Sequence, residues 1–227
     1  MSGAVTRLKL VIFDVDGTLV DSQAHILASM EGAFAAVGRA LPPRAAVLGI
    51  VGLSLPLAVR RLVPDAPDPE ADEMVEAYKA TFQRLRLSGE GASPLYPGTR
   101  AMLDGLRADE SLLLGLATGK SRRGLDHLVE EHGFAPYFVT RQVADDHPSK
   151  PHPSMIHAAL RETGVAAEDA VMVGDTEYDI EMGRAAGVRT VAVGWGYHGA
   201  GRLGAADARI GGWAQLPGVL GEFWGTA

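Results

Sequence analysis

The run Leu8-Lys9-Leu10-Val11-Ile12-Phe13, ending on Asp14-Val15-Asp16-Gly17, restricts the fold of this chain more than any other feature. Nearly continuous hydrophobicity of that length suits a strand buried on both faces, and such strands belong to parallel sheets covered by helices. Residues 112–117, 137–140, 170–173 and 189–193 share the same character. Between them, residues 121–132, 154–162 and 178–186 carry helical spacing, each ended or followed by glycine. The alternation predicts an α/β fold with a mostly parallel sheet and right-handed connections. A weaker strand at 208–210 and a short terminal helix complete it.

Residues 20–93 break this rhythm. Segments 21–37, 44–48, 54–62 and 70–87 read as successive helices, separated by Leu41-Pro42-Pro43 and by the proline-rich stretch from Val63 to Pro69. An all-helical cap inserted after the first strand accounts for the pattern. The expected division is a core of 1–19 and 94–227 and a cap of 20–93, with Ser93-Pro94-Leu95-Tyr96-Pro97-Gly98 as the return linker and a core helix over 99–108. At 227 residues, 47% apolar and 22% charged, the chain has the material for a sizeable core plus an insert.

Asp14 and Asp16 sit where the first strand meets Gly17, at the sheet end where α/β folds bind ligands. An i, i+2 spacing can turn both carboxylates toward one cavity, although an isolated Asp-Gly is also an ordinary turn former. A second acidic group, Gly174-Asp175-Thr176-Glu177-Tyr178-Asp179, follows the strand 170–173. Asp175 and Asp179 lie one helical turn apart, a spacing that equally suits a helix N-cap. Carboxylates converging on one point repel each other, so the repeated acidic strand end implies a hard cation such as Mg²⁺.

Thr118-Gly119-Lys120 ends the strand 112–117, and Lys150 precedes Pro151. A hydroxyl, glycine-turn amides and a lysine ammonium are the donors that hold a phosphoryl group. Thr118 alone reads equally as a helix cap and Lys150 as a loop charge; Lys120 reads as a solvated surface cation. The segment Val47 to Ser54, with Gly49 and Gly52 among apolar residues, reads either as a turn between cap helices or as a lid over the site. Its sparse charge suits a small or partly apolar leaving group. Arg44 reads as a solvated side chain, with contact to a substrate carboxylate as the alternative.

The formal charge of −7 is mixed along the chain, which removes a nucleic acid polymer as partner. With no cysteine, disulfide and thiolate chemistry are excluded. The apolar run at residues 8–13 is too short for a membrane span and lacks a signal-peptide layout, so a cytoplasmic enzyme is expected. Nothing in the sequence separates monomer from dimer.

Taken together, the motifs resemble those of the haloacid dehalogenase-like hydrolase superfamily, and within it phosphatases of the phosphoglycolate phosphatase kind. The resemblance rests on Asp14-Val15-Asp16-Gly17-Thr18-Leu19-Val20-Asp21-Ser22, on Leu114-Gly115-Leu116-Ala117-Thr118-Gly119-Lys120, on Ser149-Lys150-Pro151 and on Gly174 to Asp179, in family order over nearly the whole chain. It implies a Rossmann-like mostly parallel sheet core with an inserted helical cap, and Mg²⁺-dependent hydrolysis of a small phosphorylated metabolite through an aspartyl phosphate. By the same resemblance, Asp14 is the nucleophile and Asp16 the general acid and base. Thr118 and Lys150 bind the phosphoryl group, and Lys150 also steadies Asp14. Mg²⁺ is held by Asp14, the main-chain carbonyl of Asp16 and Asp175, with Asp179 nearby. Asp16 separates the chain from members lacking that second carboxylate. A sugar-phosphate mutase of the β-phosphoglucomutase type keeps it and is the alternative enzyme, and a non-catalytic binding protein retaining the fold is the alternative outside catalysis.

Overall fold

The fold is that of a computed structural model, which describes residues 7–88 and 93–225. The first strand, β1 (Lys9–Phe13), leads into four helices: α1 (Gln23–Ala36), α2 (Arg44–Leu48), α3 (Leu55–Leu62) and α4 (Asp68–Ser88). The chain then alternates through α5 (Thr99–Arg107), β2 (Leu112–Thr118), α6 (Arg122–Glu131), β3 (Thr140–Val143), α7 (Ser154–Thr163), β4 (Ala170–Gly174), α8 (Glu177–Ala185), β5 (Arg189–Val193), β6 (Ala208–Ile210) and α9 (Leu216–Trp224). The strands form one parallel sheet in the order β3-β2-β1-β4-β5-β6.

Alternation along β1 explains why its run is almost wholly apolar. Val11 and Phe13 face a cluster with Leu103 of α5, Leu125 of α6 and Leu216 of α9, whereas Leu10 and Ile12 face Met155 and Ile156 of α7 and Met182 of α8. Both faces are therefore dry, and burying a side chain such as Phe13 stabilises the fold by roughly 1.5–3 kcal/mol. The register aligns the strand ends as well. Phe13 lies beside Leu116 of β2 and beside Val173 of β4, so Asp14, Thr118 and Asp175 stand near one level at the carboxyl ends of their strands.

The α1–α4 insert has its own core, in which Ile26, Met30 and Phe34 of α1 pack with Met74 and Val75 of α4 and with Val59 of α3. Its outgoing and returning segments pair where they cross. Val20 bridges Leu95 in antiparallel fashion, and the Asp21 amide donates to the Pro94 carbonyl at 2.8 Å. That bond holds Asp21 outside α1, which begins two residues later than the pattern predicts. The first turn of α4 instead takes in Asp68 and Pro69, because an acidic group and a proline are both favourable there. Positions 89–92 of the expected cap, and 1–6 and 226–227 of the expected core, lie outside the described residues.

One expected strand is displaced. The sequence predicts a strand over 137–140, but pairing with β2 begins only at Thr140 opposite Gly115. The aromatic character there serves packing instead, with Tyr137 and Phe138 set around the Phe134 ring. The strand itself reads Thr-Arg-Gln-Val, and its polar side chains are answered from α7, where Glu162 accepts from Thr140 Oγ1 and Gln142 Nε2. Among the described residues, no helix is long and apolar enough to cross a membrane.

Candidate active site

The carboxyl ends of β1, β2 and β4, with the segment after β3 and the first turn of α8, bring Asp14, Asp16, Thr118, Lys150, Asp175 and Asp179 together, all buried. The turn after β1 is tight enough to need glycine. Gly17 has φ +84°, and a Cβ there would stand 2.2 Å from Asp175 Oδ2. The close approach lets Thr18 Oγ1 donate to Asp175 Oδ1 at 2.9 Å, while the Tyr197 amide donates to Asp175 Oδ2 at 2.8 Å.

Lys150 links two of the carboxylates. Its ammonium donates to Asp14 Oδ1 at 2.7 Å and to Asp179 Oδ1 at 2.6 Å. Burial works against its charge, but Asp14 and Asp179 together raise its pKa above the usual lysine value. Asp179 also closes the capping box of α8, its Oδ2 accepting from the Thr176 amide at 3.0 Å and the Thr176 hydroxyl at 2.7 Å. The helix-cap and site readings of Asp179 are thus both realised, one on each oxygen.

Asp14 Oδ2 is buried and has no hydrogen-bond partner among the described residues. Burial raises the Asp14 pKa to about 7; the Lys150 ammonium works against that shift, while Asp179 and Asp16 reinforce it. Asp175 is likewise held well above the ordinary carboxylate range by burial, then by Asp179 and Asp14. One oxygen each from Asp14, Asp175 and Asp179 lies within 4.8 Å of the others. A hard divalent cation fits such a set, since it would offset the repulsion and complete the coordination of Asp14 Oδ2. The Asp16 carboxylate stands apart from this group.

The expectation that Lys120 is a solvated surface cation is overturned. Its side chain is 10% exposed, and its ammonium pairs with Asp16 Oδ1 at 2.9 Å. The reason is the cap, which covers the end of β2 and puts the Phe82 ring over the ammonium at 5.3 Å. Ser22 Oγ also donates to Asp16 Oδ1 and lies 3.1 Å from the Tyr197 hydroxyl. The sequence motifs do not mark Tyr197 as a site residue; its one signal is its position in the loop after β5, at the ligand-binding end of the sheet. Thr118 is buried, and its Oγ1 accepts from the Lys120 amide at 3.2 Å, which leaves the hydroxyl proton available to a ligand.

The segment from Val47 to Ser54 lies against the core. The Gly49 carbonyl accepts from the Tyr178 hydroxyl at 3.0 Å and from His198 Nε2 at 3.2 Å, and the Ser54 amide donates to Ser149 Oγ at 2.8 Å. Arg44 is exposed. Above Asp14 and Asp16 a cavity of about 450 Å³ opens between the strand ends and the cap, with Thr118, Gly119 and Lys120 on its core side.

A family model described as haloacid dehalogenase-like hydrolase matches residues 11–193. The chain is 33% identical over 193 residues to a phosphoglycolate phosphatase of Pseudomonas savastanoi pv. phaseolicola, covering 84% of this chain and 71% of that protein. It is 31% identical over 197 residues to the pyrophosphatase PpaX of Bacillus pumilus, covering 86% and 87%. Among solved structures, a hydrolase from Pseudomonas syringae superposes with a TM-score of 0.82 at 23% identity, over 94% of this chain and 98% of that one.

Proposed function

This chain belongs to the haloacid dehalogenase-like hydrolase family, and on that premise we propose that it hydrolyses a small phosphate monoester through an aspartyl phosphate on Asp14. The observation that carries the reading is the state of the Asp14 carboxylate. One oxygen is fixed by Lys150, and the other is buried and, among the described residues, unpartnered beneath a ligand-sized cavity. A carboxylate so held is oriented for attack and has lost the water that would blunt it.

In this reading Asp14 bonds to phosphorus as the bond to the leaving alkoxide breaks, and Asp16 gives that oxygen its proton. Asp16, now ionised, takes a proton from the water that attacks the phosphorus of the aspartyl phosphate, releasing inorganic phosphate and restoring Asp14. Thr118 donates its hydroxyl proton to a phosphoryl oxygen. Lys150 neutralises charge beside Asp14 and keeps its first oxygen in place. Lys120, Ser22 and Tyr197 hold Asp16 in reach. Asp14, Asp175 and the main-chain carbonyl of Asp16 would hold Mg²⁺, with Asp179 behind them, and bound there it would neutralise the negative charge of carboxylates and phosphoryl oxygens. The reading divides the chain into a core of 1–19 and 94–227, which handles the phosphoryl group, and a cap of 20–93, which meets the rest of the substrate.

The test is phosphate release from a panel of monoesters with and without Mg²⁺, together with mass spectrometry of acid-quenched enzyme. Mg²⁺-dependent release and a phosphorylated peptide containing Asp14 are expected. Turnover with no adduct in the Asp14 peptide, or full activity after chelation, would refute the mechanism.

A further inference from the structure

The wall of the cavity facing Asp14 and Asp16 comes from the cap and is largely apolar. Ile26 and Met30 of α1, Ile50 and Leu53 of the segment after α2, and Tyr78 and Phe82 of α4 line it, the first four of them buried. His25 belongs to the same wall. Its ring stacks on Phe82 at 4.1 Å, its Nε2–H donates to the Phe82 carbonyl at 3.2 Å, and burial lowers its pKa, so it presents a neutral imidazole. The Tyr78 ring is seated in this wall too, and burial followed by the nearby Asp16 charge makes its hydroxyl harder to ionise, so it offers a neutral donor.

Two of the four Lys and Arg side chains lining this space are already engaged. Lys120, the ammonium nearest Asp16, is paired with it at 2.9 Å and covered by Phe82. Lys79 is exposed and paired with Glu76 at 2.7 Å. Arg123, in the first turn of α6, lies at an exposed position together with Glu131 and Asp145, and Arg86 is half-buried in the last turn of α4. A carboxylate or second phosphate held against Ile26, Met30, Ile50 and Leu53 would lose its water there, a cost of several kcal/mol that Lys120, already paired with Asp16, does not offset. A sugar held against the same four side chains would lose water from its hydroxyls there. An uncharged hydrocarbon alcohol would instead be buried favourably, and a cavity of this volume encloses one with a ring or a branched chain.

We infer that the substrates this site prefers are phosphate monoesters of neutral, predominantly apolar alcohols, aromatic or branched-aliphatic, and that Ile26, Met30, Tyr78 and Phe82 select them against small anionic leaving groups such as glycolate or phosphate. The inference rests on the phosphatase reading above and departs from the substrates named by the relatives, whose leaving groups are both anionic.

The experiment compares kcat/KM for benzyl phosphate and 3-methylbutyl phosphate with that for phosphoglycolate and pyrophosphate, using Mg²⁺-loaded native enzyme. Benzyl phosphate is an alkyl ester, so an acidic leaving group does not bias the comparison. The neutral esters are expected to be preferred by about tenfold or more. Phe82→Leu and Met30→Ala are expected to reduce that ratio by about tenfold each, mainly through KM for the neutral esters. Calorimetry supplies a readout free of turnover. Benzylphosphonate should bind more tightly than phosphonoacetate and with the more negative heat-capacity change, the signature of apolar burial. Equal or greater kcat/KM for phosphoglycolate or pyrophosphate, or a ratio unmoved by both substitutions in folded protein, would overturn the substrate assignment while leaving the phosphatase reading intact. Failure to turn over any of the four compounds would remove both.

Discussion

Lys120 pairs with Asp16 at 2.9 Å, reaching from the loop after β2 to the loop after β1 beneath the aromatic face of Phe82. Asp14, two residues before Asp16, is tied instead to Lys150 at 2.7 Å. Two neighbouring carboxylates thus have separate anchors, one from the cap-facing side of the site and one from its buried floor. That separation suits one group that must stay fixed and another that must exchange protons with substrate and water.

Replacing Lys120 with Met removes the charge that locates Asp16 while keeping the stem packed beneath Phe82. The expected result is a fall in kcat of roughly tenfold or more, because general acid–base catalysis depends on the placement of the proton donor. Magnesium affinity by calorimetry should be preserved, since the Asp16 carboxylate is outside the carboxylate cluster. An unchanged kcat would show that Lys120 does not position Asp16.

Asp14→Asn and Asp16→Asn should differ in kind. The first removes the attacking carboxylate, so neither phosphoenzyme nor turnover is expected. The second leaves Asp14 and its lysine in place and removes only the proton carrier, so turnover should drop by about 10²–10⁴-fold. A substrate with an acidic leaving group should still phosphorylate Asp14 in that variant. Near-normal turnover in Asp14→Asn, with loss of the adduct in Asp16→Asn, would reverse the roles.

Magnesium should stabilise the fold more strongly at high pH than at low pH. Burial and like charge raise Asp14 to about 7 and hold Asp175 well above the ordinary range. The metal-free folded chain therefore keeps these protons to higher pH than the unfolded chain. The stability this confers is full below the ordinary carboxylate pKa of 3.8 and is lost as pH rises through about 7. Bound cation replaces the protons, so the rise in Tm on adding Mg²⁺ should be larger near pH ~8 than near pH ~5. Equal shifts at both, or none, would contradict the assignment of the cluster.

Gly119→Ala tests the packing of the cap against the core. A Cβ at Gly119 would stand 2.6 Å from the Gly52 carbonyl oxygen and 2.7 Å from that of Leu53, both backbone atoms of the cap. Gly119 has no positive φ, so the substituted residue itself is unstrained. The fold should survive with the cap pushed off its seat, and a shift of about 1 Å in the groups it positions would cost on the order of a hundredfold in kcat/KM. Unaltered kinetics, with the cap position unchanged by solution scattering, would show that this contact is not needed for activity.

The sequence alone determined the sheet, the inserted helices and the acidic strand ends, because each is written in local order. A run buried on both faces, such as residues 10–13, must lie between helix layers, and a charge placed directly after it must emerge at the sheet edge. Residues 137–140 failed as a strand because aromatic packing and strand burial leave the same apolar trace over four positions. Tertiary structure decided how the charges are shared. Ser22 and Tyr197 meet although 175 residues apart, Asp179 divides its oxygens between a helix cap and Lys150, and Lys120 leaves solvent for Asp16. It also decided that α1 and α4 roof the cavity with apolar side chains. Periodicity reports only that a side chain is buried; what it is buried against depends on how cap and core close on each other, which no local pattern encodes.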